Sequence, residues 1–125
     1  MQQNVVILGA SDNPDRYSYK AFKSLTKHGH KSFLVSPTLK DLEGTPVVSD
    51  LSQVKTNIDT LTMYVNPKIS ADLKSKIIDL KPKRVIFNPG TENPVLESEL
   101  KKAGIDVLQA CTLVLLATDQ FEKKF

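Results

Sequence analysis

Cysteine is almost missing: Cys111 is the only one in 125 residues, so no internal disulfide can form and a stapled, secreted scaffold is excluded. Long hydrophobic runs are missing too. The longest, residues 113–117, spans five residues, whereas a helix needs roughly 20 to cross a bilayer. The opening MQQNVVILGASD has neither a basic start nor an extended apolar stretch, so no signal peptide and no membrane partner are expected, and the cytoplasm is the expected compartment. Charge of one sign is not in large excess. Lys plus Arg number 17 against 14 Asp plus Glu, net +3, a bias that suits an anionic ligand without calling for nucleic acid. The two histidines, His28 and His30, flank Gly29 far in sequence from Cys111, a poor basis for a Cys/His nucleophile pair or a metal site.

Apolar residues at 40% and charged residues at 25% describe one globular domain over residues 1–125. Asn4 to Leu8 (NVVIL) is a short β-branched run stopped by Gly9, the pattern of a strand buried on both faces. Tyr17 to His28 places Ala21, Phe22 and Leu25 on one helical face before Gly29, which supplies a left-handed stop. Ser32 to Val35 reads as a second strand, ended by Ser36-Pro37. A loop then leads to a possible edge piece at Val47 and Val48, and Ser49 or Asp50 can cap a short turn holding Leu51 and Val54.

Thr60 to Val65 alternates as a third strand, and Pro67 to Leu80 sets Ile69, Leu73, Ile77 and Leu80 at the spacing of one crossover helix. Arg84 to Phe87 is a fourth strand. Asn93 and Pro94 open a helix through Ala103, and Ile105 to Leu108 is a fifth strand. Residues 112–117 are apolar, and their pattern fits helix and strand equally. Strands alternating with helices predict an α/β, Rossmann-like, doubly wound open parallel sheet of about five strands in three α/β/α layers. Ligands of such sheets sit beyond the carboxyl ends of the strands, at the switch point, so the strand-end loops are where function is sought.

The loop Gly9-Ala10-Ser11-Asp12-Asn13-Pro14 lies between the first strand and the first helix. A glycine there permits close backbone approach, and amides at the following helix start can seat a phosphate, with Ser11 and Asn13 adding side-chain donors. A plain tight turn is the other reading, in which Asp12 and Asp15 are turn or cap residues. Ser11 stands where a second glycine of G-x-G-x-x-G belongs and no third follows, which counts against a classical NAD site. The second strand ends without an acidic residue, and Lys40 follows, an arrangement that suits a phosphorylated ribose if Lys40 is more than a solvated surface lysine.

GAS-x-NP after the first strand, V-x-P after the second, E-G-x-P-V, V-x-P after the third, x-x-P-G after the fourth and a cysteine after the fifth together resemble the CoA-binding protein family. Its members are small single-domain relatives of the CoA-binding domain of the succinyl-CoA synthetase α subunit. The resemblance covers about residues 4 to 116. It implies coenzyme A as the cofactor, with Gly9, Ala10, Ser11 and Asn13 facing the diphosphate and Ser18 close by. Ser36, Pro37 and Lys40 would surround the 3′-phosphorylated ribose, although the family more often has Asn where Ser36 stands. Val65, Asn66 and Pro67 would border the adenine, and Asn88, Pro89 and Gly90 the pantetheine. Pro67 and Pro89 also serve as rigid turns or helix starts.

Cys111 matches the family's late cysteine. It is either a small buried hydrophobe or a thiol that forms a mixed disulfide with CoA. Tyr17, Tyr19 and Lys20 are read as packing residues that can border the ligand. The expected function is CoA or acyl-CoA binding without independent catalysis, as a homodimer or as a subunit beside a partner enzyme. Two alternatives stand against it: an NADP-dependent oxidoreductase, or a regulatory partner with a decayed ligand site that uses Lys101, Lys102 and the FEKKF tail.

Overall fold

β1 (Asn4–Leu8) is the centre from which the molecule is built. Its side chains alternate between two apolar cores, as a pleated strand requires. Val5 and Ile7 meet Phe22, Leu25, Leu115, Leu116 and Phe121 on one face. Val6 and Leu8 meet Leu61, Met63, Ile77, Leu96 and Leu100 on the other. With both faces covered, β1 reads as a continuous hydrophobic run. A computed structural model describes residues 2–123. Lys124 and Phe125 of the FEKKF tail lie outside the described residues.

The sheet has seven strands in the order β3-β4-β2-β1-β5-β6-β7, where β2 is Lys31–Val35, β3 Asp41–Leu42, β4 Thr45–Val48, β5 Thr60–Met63, β6 Arg84–Phe87 and β7 Asp106–Gln109. All pairings are parallel except β3 with β4. The expectation of about five strands is corrected by the hairpin at the edge: Val47 and Val48 belong to β4, and β3 folds back on it. The hairpin turns through Glu43 (φ 50°) and Gly44 (φ 88°), the backbone of a two-residue primed turn. Glu43 is a strained residue there, and α1 (Tyr17–Lys27) holds it: Lys23 Nζ donates to its carboxylate at 2.6 Å and Tyr19 donates its hydroxyl.

Four further α-helices among the described residues follow α1. The stretch from Pro67 to Leu80 is two helices, α2 (Pro67–Ala71) and α3 (Lys74–Leu80). The break arises where Asp72 and Leu73 donate to Ile69 and Ser70, three residues back, a tightened turn that interrupts the ladder and leaves the apolar face in place. α4 (Pro94–Lys102) opens with the Asn93 side chain accepting from the Leu96 amide. The final apolar segment is a helix, α5 (Thr112–Ala117). α1 and α5 cover one face of the sheet, and α3 and α4 the other. No helix among the described residues is long and apolar enough to cross a membrane.

Candidate ligand groove at the strand ends

β1 pairs with β2 on one side and β5 on the other, so the chain order reverses between β1 and β5, the switch point at which such sheets open a crevice. Gly9 occupies it with φ 95°. A Cβ built there would lie 3.0 Å from Val65 Cγ1 and 3.2 Å from the Tyr64 carbonyl carbon; only glycine lets the two loops approach this closely.

Two grooves meet at Ser11. The first, about 400 Å³, is bounded by Gly9, Ser11, Arg16, Ser18, Tyr64 and Val65, then by Asn66 and the Pro89–Thr91 loop. The second, about 320 Å³, runs beside the end of β2 between Ala10, Ser11 and Asp12 on one wall and Ser36, Thr38 and Leu39 on the other. The loops after β1, β2, β5 and β6 thus line two grooves that share Ser11, as expected from their topological place.

The first two amides of the loop after β1 are already engaged. The amides of Gly9 and Ala10 both donate to the Val35 carbonyl at 3.0 Å, so they are spent tying the loop to β2. Open donors remain at the Ser11 and Asp12 amides and at the start of α1. There Arg16 occupies the N-cap position without a side-chain cap, and no acidic residue stands in the first turn. The first intrahelical amide is that of Lys20, which donates to the Arg16 carbonyl at 3.2 Å, so the amides of Tyr17, Ser18 and Tyr19 are the open ones at this end. Ser18 is only 5% exposed and lines the first groove, yet its hydroxyl has no hydrogen-bond partner among the described residues. Ser32 Oγ is the one sealed side-chain polar atom without a partner among the described residues, so Ser18 Oγ opens to the groove, where a ligand can reach it.

The remaining anticipated residues divide. Ser11 Oγ accepts from the Asn13 amide at 3.1 Å, and Asn13 Oδ1 accepts from the Asp15 amide at 3.0 Å. Asn13 therefore folds the loop and lines neither groove. Ser36 Oγ accepts from the Leu39 amide at 3.2 Å, so it shapes the turn after β2, with Pro37 exposed beside it. Lys40 is exposed and lines neither groove. Asn66 lines the first groove and caps α2 by accepting from the Ile69 amide at 3.0 Å. Pro67 is the first residue of that helix and lies outside the lining.

Asn88 lies beneath the Pro89–Thr91 loop, 3% exposed. Its Nδ2 donates to Thr62 Oγ1 at 2.7 Å and to the Met63 carbonyl at 2.9 Å, and its Oδ1 accepts from the Thr112 amide at 2.9 Å. Every polar atom of the side chain is engaged inside the protein, so it supports the wall and has no donor left for a ligand. Cys111 is half-buried at the head of α5, outside both linings. Burial pushes the Tyr64 phenol up to about 12, Cys111 adding in the same direction and Thr62 and Thr112 opposing. The Tyr64 hydroxyl, beside Thr62 and Thr112, is thus neutral at any ordinary pH.

Arg16, Tyr64 and Thr91 in the first groove and Leu39 in the second are the lining residues that sequence reasoning missed. Arg16 had a signal: it is one of two arginines in the chain, and it directly precedes the first helix.

Comparison with known proteins agrees with this architecture. A solved structure described as an uncharacterized protein superposes with a TM-score of 0.92 at 39% identity, over 97% of this chain and 99% of that one. A Thermus thermophilus protein follows at 0.87 and 27% identity, covering 95% and 90%. A dinucleotide forming acetyl-coenzyme A synthetase 1 from Ca. Korarchaeum cryptofilum shares the fold at 0.73 and 20% identity, with 86% of this chain matching 25% of that one. Among curated proteins, the uncharacterized protein YneT of Bacillus subtilis (strain 168) is 29% identical over 62 residues. That match spans 50% of this chain and about half, 46%, of the relative. Residues 3–117 match the model of the CoA binding domain, and the chain therefore belongs to the CoA-binding domain family.

Proposed function

We propose that this chain binds coenzyme A or an acyl-CoA across the carboxyl ends of β1, β2, β5 and β6, as a binding module without catalysis of its own. The observation that carries the reading is the conjunction at the start of α1: an uncapped helix end, the Arg16 guanidinium and the partnerless Ser18 hydroxyl all border one groove. Helix amides and a guanidinium together suit a diphosphate, the most highly charged internal part of CoA. The thin pantetheine arm would run along the Pro89–Gly90 side of this groove, whose lining is polar and apolar in similar measure. Family membership supports the same ligand class.

Isothermal titration of the full chain with CoA and with NADP tests this. The expected result is saturable CoA binding with NADP weaker by at least an order of magnitude. Tighter NADP binding would favour an oxidoreductase on the same fold, and binding of neither would favour a regulatory partner whose site has decayed.

A further inference from the structure

The two grooves differ in charge, and the difference bears on which nucleotide the site takes. Arg16 borders the first groove only. The second, beside β2, is lined by Ala10, Ser11, Asp12, Ser36, Thr38 and Leu39, with no Lys or Arg among them. Lys40, the nearest basic residue along the chain, is exposed, and its carbonyl accepts from the Val47 amide at 3.1 Å where the edge hairpin begins. Asp12 is exposed and has no ion-pair partner among the described residues.

If the diphosphate sits at the start of α1, the adenosine half of the ligand extends past Ser11 toward the end of β2, as nucleosides do in doubly wound sheets. The groove it enters is lined by Ser11, Asp12 and Thr38, with no cation among its residues. A carboxylate accepts hydrogen bonds from ribose hydroxyls and repels a phosphate. Ser36 Oγ accepts from the amides of Thr38 and Leu39 at 3.4 and 3.2 Å, so this wall is already folded without a ligand.

We propose that the groove beside β2 is built for a ribose with free hydroxyls and that Asp12 sets this selectivity, so that dephospho-CoA, which lacks the 3′-phosphate, binds at least as tightly as CoA. The proposal rests on the diphosphate placement argued above and sharpens it to a ligand class. It also removes Lys40 from the binding machinery.

Isothermal titration of the full chain with CoA and dephospho-CoA, in one buffer, tests it. The expected result is a Kd for dephospho-CoA equal to or below that for CoA. Asp12→Asn should shift the ratio of the two Kd values toward CoA by about fivefold, the scale of one exposed like-charge contact. Lys40→Ala should leave both values unchanged. Tenfold tighter binding of CoA, an Asp12→Asn ratio that does not move, or a selective loss of CoA affinity in Lys40→Ala each overturns the proposal while leaving CoA binding intact. Failure of both nucleotides to bind overturns the functional reading itself, and this proposal with it.

Discussion

Asn88 and Thr112 are joined across 24 residues of chain by a hydrogen bond of 2.9 Å from the Thr112 amide to the Asn88 side-chain oxygen. The same Asn88 side chain donates to Thr62 and to the Met63 carbonyl, so one amide group fastens β6 to β5 and to the head of α5. Replacing it with alanine strands the Thr112 amide and the Met63 carbonyl in the interior and opens a small void. Asn88→Ala should therefore cost about 2–4 kcal/mol of unfolding free energy. Urea denaturation measures this; a loss below about 1 kcal/mol would mean that water replaces the missing partners.

Gly9 and Val65 impose a different limit. An alanine at position 9 would bring Cβ to 3.0 Å from Val65 Cγ1 while holding φ at 95°, so it meets both a steric contact and a disfavoured backbone. Gly104, with φ 85° and open space around it, meets only the second. Gly9→Ala should be destabilised by about 2–3 kcal/mol and Gly104→Ala by about 1 kcal/mol. Only the first should also weaken CoA binding, because the Tyr64–Val65 loop that must move lines the groove. Thermal melts and calorimetry on the pair check both statements; equal effects on affinity would dissociate Gly9 from the site.

The parts of this molecule that were legible in its sequence are those determined by local chemistry. β1, β2, β5 and β6 are β-branched or aromatic runs that need only a neighbour on each face, and Asn93-Pro94 marks a helix start by a side chain that reaches three residues ahead. What escaped depends on partners distant in sequence. β3 is two residues long and turns through Glu43 against its own backbone preference, which the contacts from Tyr19 and Lys23 offset. The same holds in the site. Its location follows from topology, but whether Gly9 and Ala10 offer their amides depends on Val35, and whether Asn88 faces in or out depends on Thr62 and Thr112. Residue type alone does not distinguish these outcomes.

His30 gives the fold a pH dependence. Its ring is buried against Phe121, with centroids 5.1 Å apart, and Nδ1 accepts from the Gln3 amide at 3.0 Å. Burial lowers its pKa below the ordinary 6.5, with neighbouring positive charge, His28 and Arg84 included, adding to the shift; Asp59 opposes it. Glu122, 3.9 Å from Nε2, also favours the charged form. Because the folded value is the lower one, the unfolded chain binds the proton first as pH falls. Stability is then fully present above about 6.5 and declines below it, until the pH passes the lowered folded value. His30→Gln should flatten this slope. Urea midpoints at pH 7.5, 6.5 and 5.5 for both proteins decide the matter; parallel declines would assign the effect elsewhere.

Arg16 carries the strongest test of the ligand reading. It is exposed, makes no side-chain cap, and borders the groove beside three open helix amides and the Ser18 hydroxyl, so nothing in the fold accounts for its guanidinium. Arg16→Ala should leave the urea midpoint within experimental error, since exposed side chains of this kind contribute little to stability. It should weaken CoA and dephospho-CoA alike, each by about tenfold or more, the scale of one hydrogen bond between charged groups. The affinity should also become less sensitive to salt, because one cation fewer faces the phosphates. Unchanged binding of both nucleotides in Arg16→Ala would place the diphosphate away from α1, even if the chain binds CoA. A selective loss of CoA would instead make Arg16 the reader of the 3′-phosphate and reverse the orientation of the nucleotide across Ser11.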